Sequence, residues 1–103
     1  MPNFFGGGPV LSINTYAANT TLNENDYTAL INTTAGNRVV TLPPANAHDG
    51  RIFVIKRLTG GANTCVITPT GADTIDGAPN LGLVLQWERA TIQSDGTLWY
   101  RID

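Results

Sequence analysis

The fold class is decided by residues 51–58, which read RIFVIKRL. Four consecutive apolar residues, Ile52 to Ile55, leave neither face of this segment polar, a pattern typical of a strand that is covered on both faces. Isoleucine, valine and phenylalanine are also enriched in strands. The segment therefore predicts a strand at the centre of a sheet, or one whose second face is covered by a partner subunit.

Similar short apolar runs recur along the chain, separated by clusters of Gly, Pro, Asn and Asp. Their period of two predicts strands, and no segment shows the apolar stripe of a helix. The predicted strands cover 27–32, 38–42, 51–58, 64–68, 81–88, 90–93 and 98–102, with a weaker one at 11–16. We expect an all-β chain, arranged as a small antiparallel two-sheet sandwich or a jelly-roll-like barrel with an extended N-terminal arm.

Short glycine-containing connections favour local antiparallel pairing. The sequences AGN at 35–37, GG at 60–61 and DG at 95–96 each separate two predicted strands. Glycine adopts the positive φ that such turns require. A parallel pair needs a crossover of roughly a dozen residues or more, so we expect none. In the longest predicted loop, 69–80, Ile75 is the one bulky apolar anchor.

Composition restricts the function classes. The 103 residues are enough for one domain, and charged residues are 14% of the chain, against roughly 25% in a typical soluble protein. The net charge of −2 argues against a nucleic-acid or anionic-membrane partner. The single cysteine, Cys65, excludes an intrachain disulfide. The N-terminus lacks the features of a secretory signal, so we expect a protein made in a cytoplasm.

The first dozen residues differ from the rest. An aromatic pair is followed by three glycines and a proline, which predicts an extended arm over 1–12, ahead of a single β-sandwich domain over 13–103. The candidate partner-binding residues of this arm are Pro2, Asn3, Phe4, Phe5 and Pro9.

Candidate catalytic and metal-binding groups are few. Asp73 and Asp76 supply two carboxylates, whereas calcium needs six to eight oxygen ligands, so we interpret both as turn residues. His48 stands next to Asp49 without a nucleophile at a recognisable spacing, which is typical of a solvated loop histidine. Cys65 is expected to be a small buried hydrophobe. The sequence therefore predicts no catalytic residue, no metal, no cofactor and no enzymatic activity.

Five motifs occur in a fixed order: DYT at 26–28, VVTLPPA at 39–45, GRIFVIKR at 50–57, TIDG at 74–77 and SDGTLWY at 94–100. Over about residues 20–102 they resemble a β-rich module of bacteriophage virion proteins, found in tail fibres, tail spikes, head fibres and short capsid-bound proteins. The resemblance implies a structural or attachment role in the virion, a homotrimer, and no catalytic residues.

Two functions agree with this resemblance. In the first, the protein is a capsid decoration, or cement, protein that binds the major capsid protein on the outer head surface and stabilises it. In the second, it is a fibre-tip, spike or head-fibre module that binds a host-surface glycan or protein, using Asn- and Thr-rich loops with Trp87 and Trp99. Virion copy number distinguishes the two, since decoration requires hundreds of copies.

The trimer is also expected from apolar strands that one small domain cannot cover alone, namely 51–58 and 81–87. Which apolar face is core and which is interface stays open at this stage. Trp99 and Tyr100 point to opposite faces of the last strand, so we expect one ring in the core and the other at the surface. The candidate trimer-interface residues are Phe53, Ile55, Leu83, Leu85, Trp87 and Trp99.

Overall fold

In the computed structural model, residues 10–103 are described, and they form nine strands and one short 3₁₀ turn at Ala45–Ala47. The strands are β1 (Ile13–Tyr16), β2 (Thr20–Thr21), β3 (Thr28–Ile31), β4 (Arg38–Thr41), β5 (Ile52–Arg57), β6 (Cys65–Thr68), β7 (Leu81–Gly82), β8 (Arg89–Ser94) and β9 (Trp99–Arg101). Within this part of the chain, no helix is long and apolar enough to cross a membrane.

The strands form two sheets, which confirms the predicted all-β sandwich. A five-stranded sheet has the order β1-β3-β5-β8-β9, and a four-stranded sheet has the order β2-β4-β6-β7. β5 lies at the centre of the larger sheet, as its two apolar faces predicted. The core holds the inward side chains of both sheets, including Phe53 and Trp99, whose ring centroids are 5.7 Å apart.

The prediction of antiparallel pairing is wrong for most of the chain. Four of the seven strand pairs are parallel, namely β1 with β3, β2 with β4, β3 with β5 and β4 with β6. The first six strands alternate between the two sheets, so each strand returns to its own sheet after one pass through the other. The facing strand itself supplies the long crossover that a parallel pair needs. The observed strand pairing is therefore not that of an antiparallel jelly roll.

Two of the predicted hairpins are crossings between sheets. Residues 35–37 connect β3 to β4, and residues 60–61 lie between β5 and β6, and in both cases the two strands belong to different sheets. The third hairpin is confirmed, because β8 and β9 are antiparallel partners around Asp95 and Gly96. Gly96 has φ +90°, as the turn requires.

The predicted strand over 81–88 is present only in part. β7 ends at Gly82, and residues 83–88 form a loop that carries the chain from the four-stranded to the five-stranded sheet. Leucines continue to alternate after the chain has left the sheet at Gly82. The periodicity of the sequence therefore does not show where the strand ends. The loop at 69–80 agrees with its prediction, since Ile75 is buried at its centre.

The sandwich has two ends, and we name each by its buried charge. At the Arg57 end, segments 32–37, 58–64 and 83–88 cross between the sheets. At the Asp26 end, segments 22–27 and 42–51 cross between the sheets. Segment 69–80 connects β6 to β7 within the four-stranded sheet, and residues 95–98 connect β8 to β9 within the five-stranded sheet.

Candidate interaction surfaces

The six candidate interface residues divide into two groups. Leu85 and Trp87 are exposed. The other four are at most 1% exposed and contact the core of their own chain: Phe53, Ile55, Leu83 and Trp99. Phe53, Ile55 and Trp99 point inward because alternate residues of a strand face opposite sides of a sheet, and the inward side faces the second sheet. Leu83 is buried directly after the end of β7. The structure therefore reduces the predicted interface to two residues.

The predicted arm is described only at its last three residues. Pro2, Asn3, Phe4, Phe5 and Pro9 lie outside the described residues. Val10 and Leu11 are exposed, whereas Ser12 belongs to the domain. Its carbonyl accepts a hydrogen bond from the Thr28 amide (3.1 Å), and its hydroxyl donates to the Asn25 carbonyl (2.8 Å).

The loop at 83–88, which we call the Trp87 loop, exposes three large apolar side chains next to one another. Val84 is 74% exposed, Leu85 is 69% exposed and Trp87 is 58% exposed. Trp87 also has φ +69°, in the left-handed region that bulky side chains rarely adopt. Such a conformation costs roughly 1–2 kcal/mol, and a glycine would adopt it freely. The turn alone therefore does not explain a tryptophan at this position.

Arg57 supports the Trp87 loop from inside. Arg57 is only 2% exposed, and its guanidinium group lies where segments 58–64 and 83–88 cross between the sheets. It donates five hydrogen bonds, all to main-chain carbonyls: Thr59 (2.5 Å), Gly61 (3.3 Å), Asn63 (2.6 Å), Leu83 (2.9 Å) and Val84 (3.1 Å). A guanidinium group has five N–H donors in a rigid fork, so its full donor capacity is used. Arg57 thereby ties the Trp87 loop to the crossing after β5.

Glu88 supports the same loop from outside. Its Oε1 accepts hydrogen bonds from the amides of Val84 (2.7 Å) and Leu85 (3.0 Å). The hydrogen bonds from these amides, with that of Leu85 the strongest influence, lower the pKa of the Glu88 carboxyl. The Trp87 amide donates to the Arg57 carbonyl (2.8 Å), which closes the loop onto β5. The exposed side chains are therefore presented on a backbone that is held from both sides.

The outer face of the five-stranded sheet carries few charged side chains. One row of cross-strand partners runs through Ile13, Thr28, Val54 and Thr91, and Ile102, directly after β9, continues it by donating its amide to the Thr91 carbonyl (2.8 Å). Leu30, Ile52 and Tyr100 flank this row. The charged side chains on this face are Lys56 and Arg89, which are cross-strand partners toward the Arg57 end. Trp99 and Tyr100 lie on opposite faces, as predicted, with Tyr100 outside and Trp99 inside.

The Asp26 end contains a buried carboxylate. Asp26 is 1% exposed and accepts hydrogen bonds from the Asn14 amide group (2.9 Å), the Asn23 backbone amide (3.0 Å) and the Tyr16 hydroxyl. The hydrogen bond to this carboxylate, together with burial and the charge of Asp26, raises the pKa of Tyr16 to about 12. These bonds fix β1 against the loop that precedes β3.

Beside Asp26 is an open groove of about 520 Å³. Val10, Leu11, Tyr27 and Ile52 contribute apolar surface to its walls, and the charged residues that line it are Glu24, Asp26 and Arg51. The groove therefore combines apolar walls with two acidic residues and one basic residue.

The remaining candidates are engaged within the fold. Asp73 accepts a hydrogen bond from the Ala45 amide (3.0 Å), and Asp76 accepts one from the Arg101 amide (3.1 Å). These carboxylates thus serve the backbone, as predicted for turn residues. In residues 10–103, no three His, Cys, Asp or Glu residues come together as a possible metal site.

His48 and Cys65 have local roles. The Nδ1 atom of His48 lies 2.9 Å from the Pro44 carbonyl at the end of the 3₁₀ turn. Cys65 is buried in β6, as predicted. Burial raises the pKa of its thiol, although the positive charge of Arg57 acts in the opposite direction.

The burial of Arg57 and Asp26 was not predicted from the sequence. Arg57 shares the inward parity of Phe53 and Ile55 along β5, and this parity was a usable signal. No comparable signal in the sequence points to Asp26, because its burial depends on where β1 lies. Val84 was missed because it was assigned to the mixed face of a strand.

Compared with known protein families and with curated proteins, the chain matches neither a family nor a curated protein.

Proposed function

We propose that this protein is a non-enzymatic structural protein of a bacteriophage particle, and specifically a capsid decoration protein that acts as a homotrimer on the outer head surface. The outer face of the five-stranded sheet is the observation that carries the proposal. It presents a cross-strand row of Ile, Thr and Val side chains, in which no residue is charged. The five sequence motifs that resemble phage virion modules give the particle as the context.

Contact with another protein surface should stabilise such a face. Surfaces with few charges lose little hydration when they are covered, and each Å² of apolar surface removed from water contributes roughly 25 cal/mol. Val54 lies in the middle of the row, on the central strand, and is half-buried in the single chain. Packing of this face against other copies would complete the burial that the chain begins.

The trimer contact can be tested with a matched pair of substitutions. Val54 and Val66 are both half-buried valines on outer faces, Val54 in the five-stranded and Val66 in the four-stranded sheet. A buried unpaired carboxylate costs several kcal/mol, so Val54→Glu should dissociate the trimer while Val66→Glu should leave it intact. Sedimentation equilibrium measures the mass, and circular dichroism verifies the fold. A Val54→Glu protein that remains trimeric contradicts this contact.

The head-binding role is assigned to the arm. Aromatic side chains supply large contact areas at low entropic cost, and Phe4 and Phe5 are the aromatic residues of the arm. A deletion should end at Pro9, because Ser12 is hydrogen-bonded to the domain. The 10–103 fragment should fold and form the trimer, and it should no longer co-sediment with expanded heads. Undiminished co-sedimentation by the fragment would exclude this role for the arm.

The second candidate is a fibre-tip or spike module that binds a host-surface glycan or protein. The exposed ring of Trp87 favours it, since an aromatic face can stack on a sugar, whereas Trp99 is buried and is not available. Densitometry of the purified particle separates the two functions. Hundreds of copies indicate decoration, and a few to a few dozen copies indicate a fibre or spike.

A further inference from the structure

The charges of this molecule are separated along the strand direction. Six of the eight acidic residues lie at the Asp26 end: Glu24, Asp26, Asp49, Asp73, Asp76 and Asp95. Five of the six basic residues lie at the Arg57 end: Arg38, Lys56, Arg57, Arg89 and Arg101. With Arg51 at the first end and Glu88 and Asp103 at the second, the formal charges are −5 and +3, which together give the −2 of the chain.

The apolar features are separated in the same way. The basic end carries the Trp87 loop, with Lys56 Nζ 6.0 Å from the centre of the Trp87 ring. The acidic end carries the open groove, whose volume of about 520 Å³ lies within the range of roughly 300–1,000 Å³ typical of binding pockets. A protruding apolar loop with a basic neighbour and a groove lined by apolar residues, two acidic residues and one basic residue thus occupy opposite ends of one molecule.

We propose that the groove at the Asp26 end binds the Trp87 loop of a second copy of this chain. In this contact Trp87 and Leu85 enter the groove, and Lys56 lies near Glu24 of the neighbouring copy. The occupant is argued from charge complementarity: the end that exposes the loop is positive, and the end that contains the groove is negative. This contact is centred on the loop and the groove, and it shares only Ile52 and Lys56 with the sheet face of the trimer contact. It goes beyond the proposed virion function.

The rigidity of the loop favours such a role. Because Arg57 and Glu88 hold the backbone of Val84 from both sides, little conformational freedom remains to be lost on binding. The left-handed conformation of Trp87 then holds the ring in one fixed orientation. Strained backbone conformations of this kind occur at binding sites.

The contact joins different surfaces of the two copies, so it is heterologous. Repetition of such a contact gives an open chain of copies, or a closed ring if each step turns the next copy. Complementary charges accelerate association, and salt screens them. End-to-end assembly should therefore be stronger at low salt than at high salt.

A charge-swap experiment tests the proposal directly. One variant reverses the acidic end (Glu24→Lys with Asp49→Lys), and the other reverses the basic end (Lys56→Glu with Arg89→Glu). In each variant alone, residues 24 and 56 carry charges of the same sign, so the attraction between the two ends is weakened. The dissociation constant of the end-to-end species seen at low salt should therefore rise at least tenfold. A mixture of the two variants brings together the unchanged basic end of the first variant and the unchanged acidic end of the second, and it should restore the assembly. Sedimentation velocity at low and high salt measures the species.

A substitution in the loop provides the second arm. Trp87→Gly removes the ring while glycine retains the backbone, and it should weaken the end-to-end contact by about 30-fold, the effect of losing a central aromatic contact residue. Val39→Ala is the control, because Val39 is exposed on the outer face of the four-stranded sheet, away from both ends of the proposed contact.

The outcomes separate this proposal from the trimer. Val54→Glu should remove the trimer at high salt and leave end-to-end association at low salt, whereas Trp87→Gly should do the reverse. The proposal is overturned if the folded wild-type protein forms no salt-sensitive larger species, or if mixing the two charge-reversed variants does not restore the assembly.

Discussion

The two ends of the sandwich each bury one charged side chain, but with opposite chemistry. At one end, Arg57 donates all five of its hydrogen bonds to main-chain carbonyls. At the other end, Asp26 accepts hydrogen bonds from a side-chain amide, a hydroxyl and a backbone amide. Neither charge has a salt-bridge partner among the described residues. Each end therefore uses one ion to bind neutral polar groups.

The difference reflects what the chain leaves unpaired at each end. At the Arg57 end, two crossings, 58–64 and 83–88, bring carbonyls together, and a cation with five donors in a plane is the side chain that fits them. At the Asp26 end, amide and hydroxyl donors from β1 and the loop before β3 converge, so an acceptor fits. A buried polar group without its partner costs about 1–3 kcal/mol, which is why each ion organises its end of the fold.

The largest effect is expected at the Arg57 end. Arg57→Met should destabilise the protein by about 3–5 kcal/mol, because methionine fills the volume but leaves the carbonyls without donors. Arg89→Met is the control, since Arg89 is exposed and its ion pair with Asp103, at 3.6 Å, contributes little. Urea unfolding measures both. Similar, small losses in the two variants would contradict the role of Arg57.

A smaller effect is expected at the Asp26 end. Asp26→Ala should cost about 2–3 kcal/mol because it leaves three donors without their acceptor, and Tyr16→Phe, which removes one of them, about 1–2 kcal/mol. Glu24→Gln, in the same loop but exposed, should change stability by less than about 0.5 kcal/mol. Chemical denaturation monitored by circular dichroism provides the comparison. If the three variants are equally stable, Asp26 does not organise this end.

Backbone strain at the Trp87 loop gives the next effect in size. Trp87→Gly should be more stable than Trp87→Ala by about 1 kcal/mol, because both remove the ring and glycine alone adopts φ +69° without strain. Thermal unfolding of the two variants measures the difference. Equal stability, or a more stable alanine variant, would show that the conformation of residue 87 is not strained.

The smallest effect concerns pH. The pKa of Glu88 is lower in the folded protein than its ordinary value of 4.5, so its contribution to stability is complete above that value and is lost as the pH falls through the lowered pKa. The Trp87 loop should then loosen in acid. A change in Trp87 fluorescence below about pH 4 that is absent in Glu88→Gln is the expected result. An identical acid transition in Glu88→Gln would assign it to another group.

The same comparison shows what could be predicted from the sequence. Most strand segments, the central position of β5, the hairpin at 95–96 and the opposite placement of Trp99 and Tyr100 follow from local pattern, whereas β2 was not predicted and β7 is shorter than predicted. The parallel pairing does not, because short connections look alike whether they return to the same sheet or cross to the facing one.

The candidate surfaces were less predictable. The apolar alternation that includes Leu83 and Leu85 predicted a strand, but it could not show that the chain leaves the sheet after Gly82. Leu83 is therefore in the core while Leu85 and Trp87 are exposed. The charge separation between the ends is a property of the topology, since the residues that create it are scattered along the chain.

The mass of the intact protein in solution tests the central claim, that this chain acts by assembling with copies of itself. Light scattering on the full chain at micromolar concentration and high salt, where end-to-end contacts are screened, should give about 33 kDa, three times the 11.0 kDa of one chain. A stable, folded species of about 11 kDa under these conditions would contradict the claim.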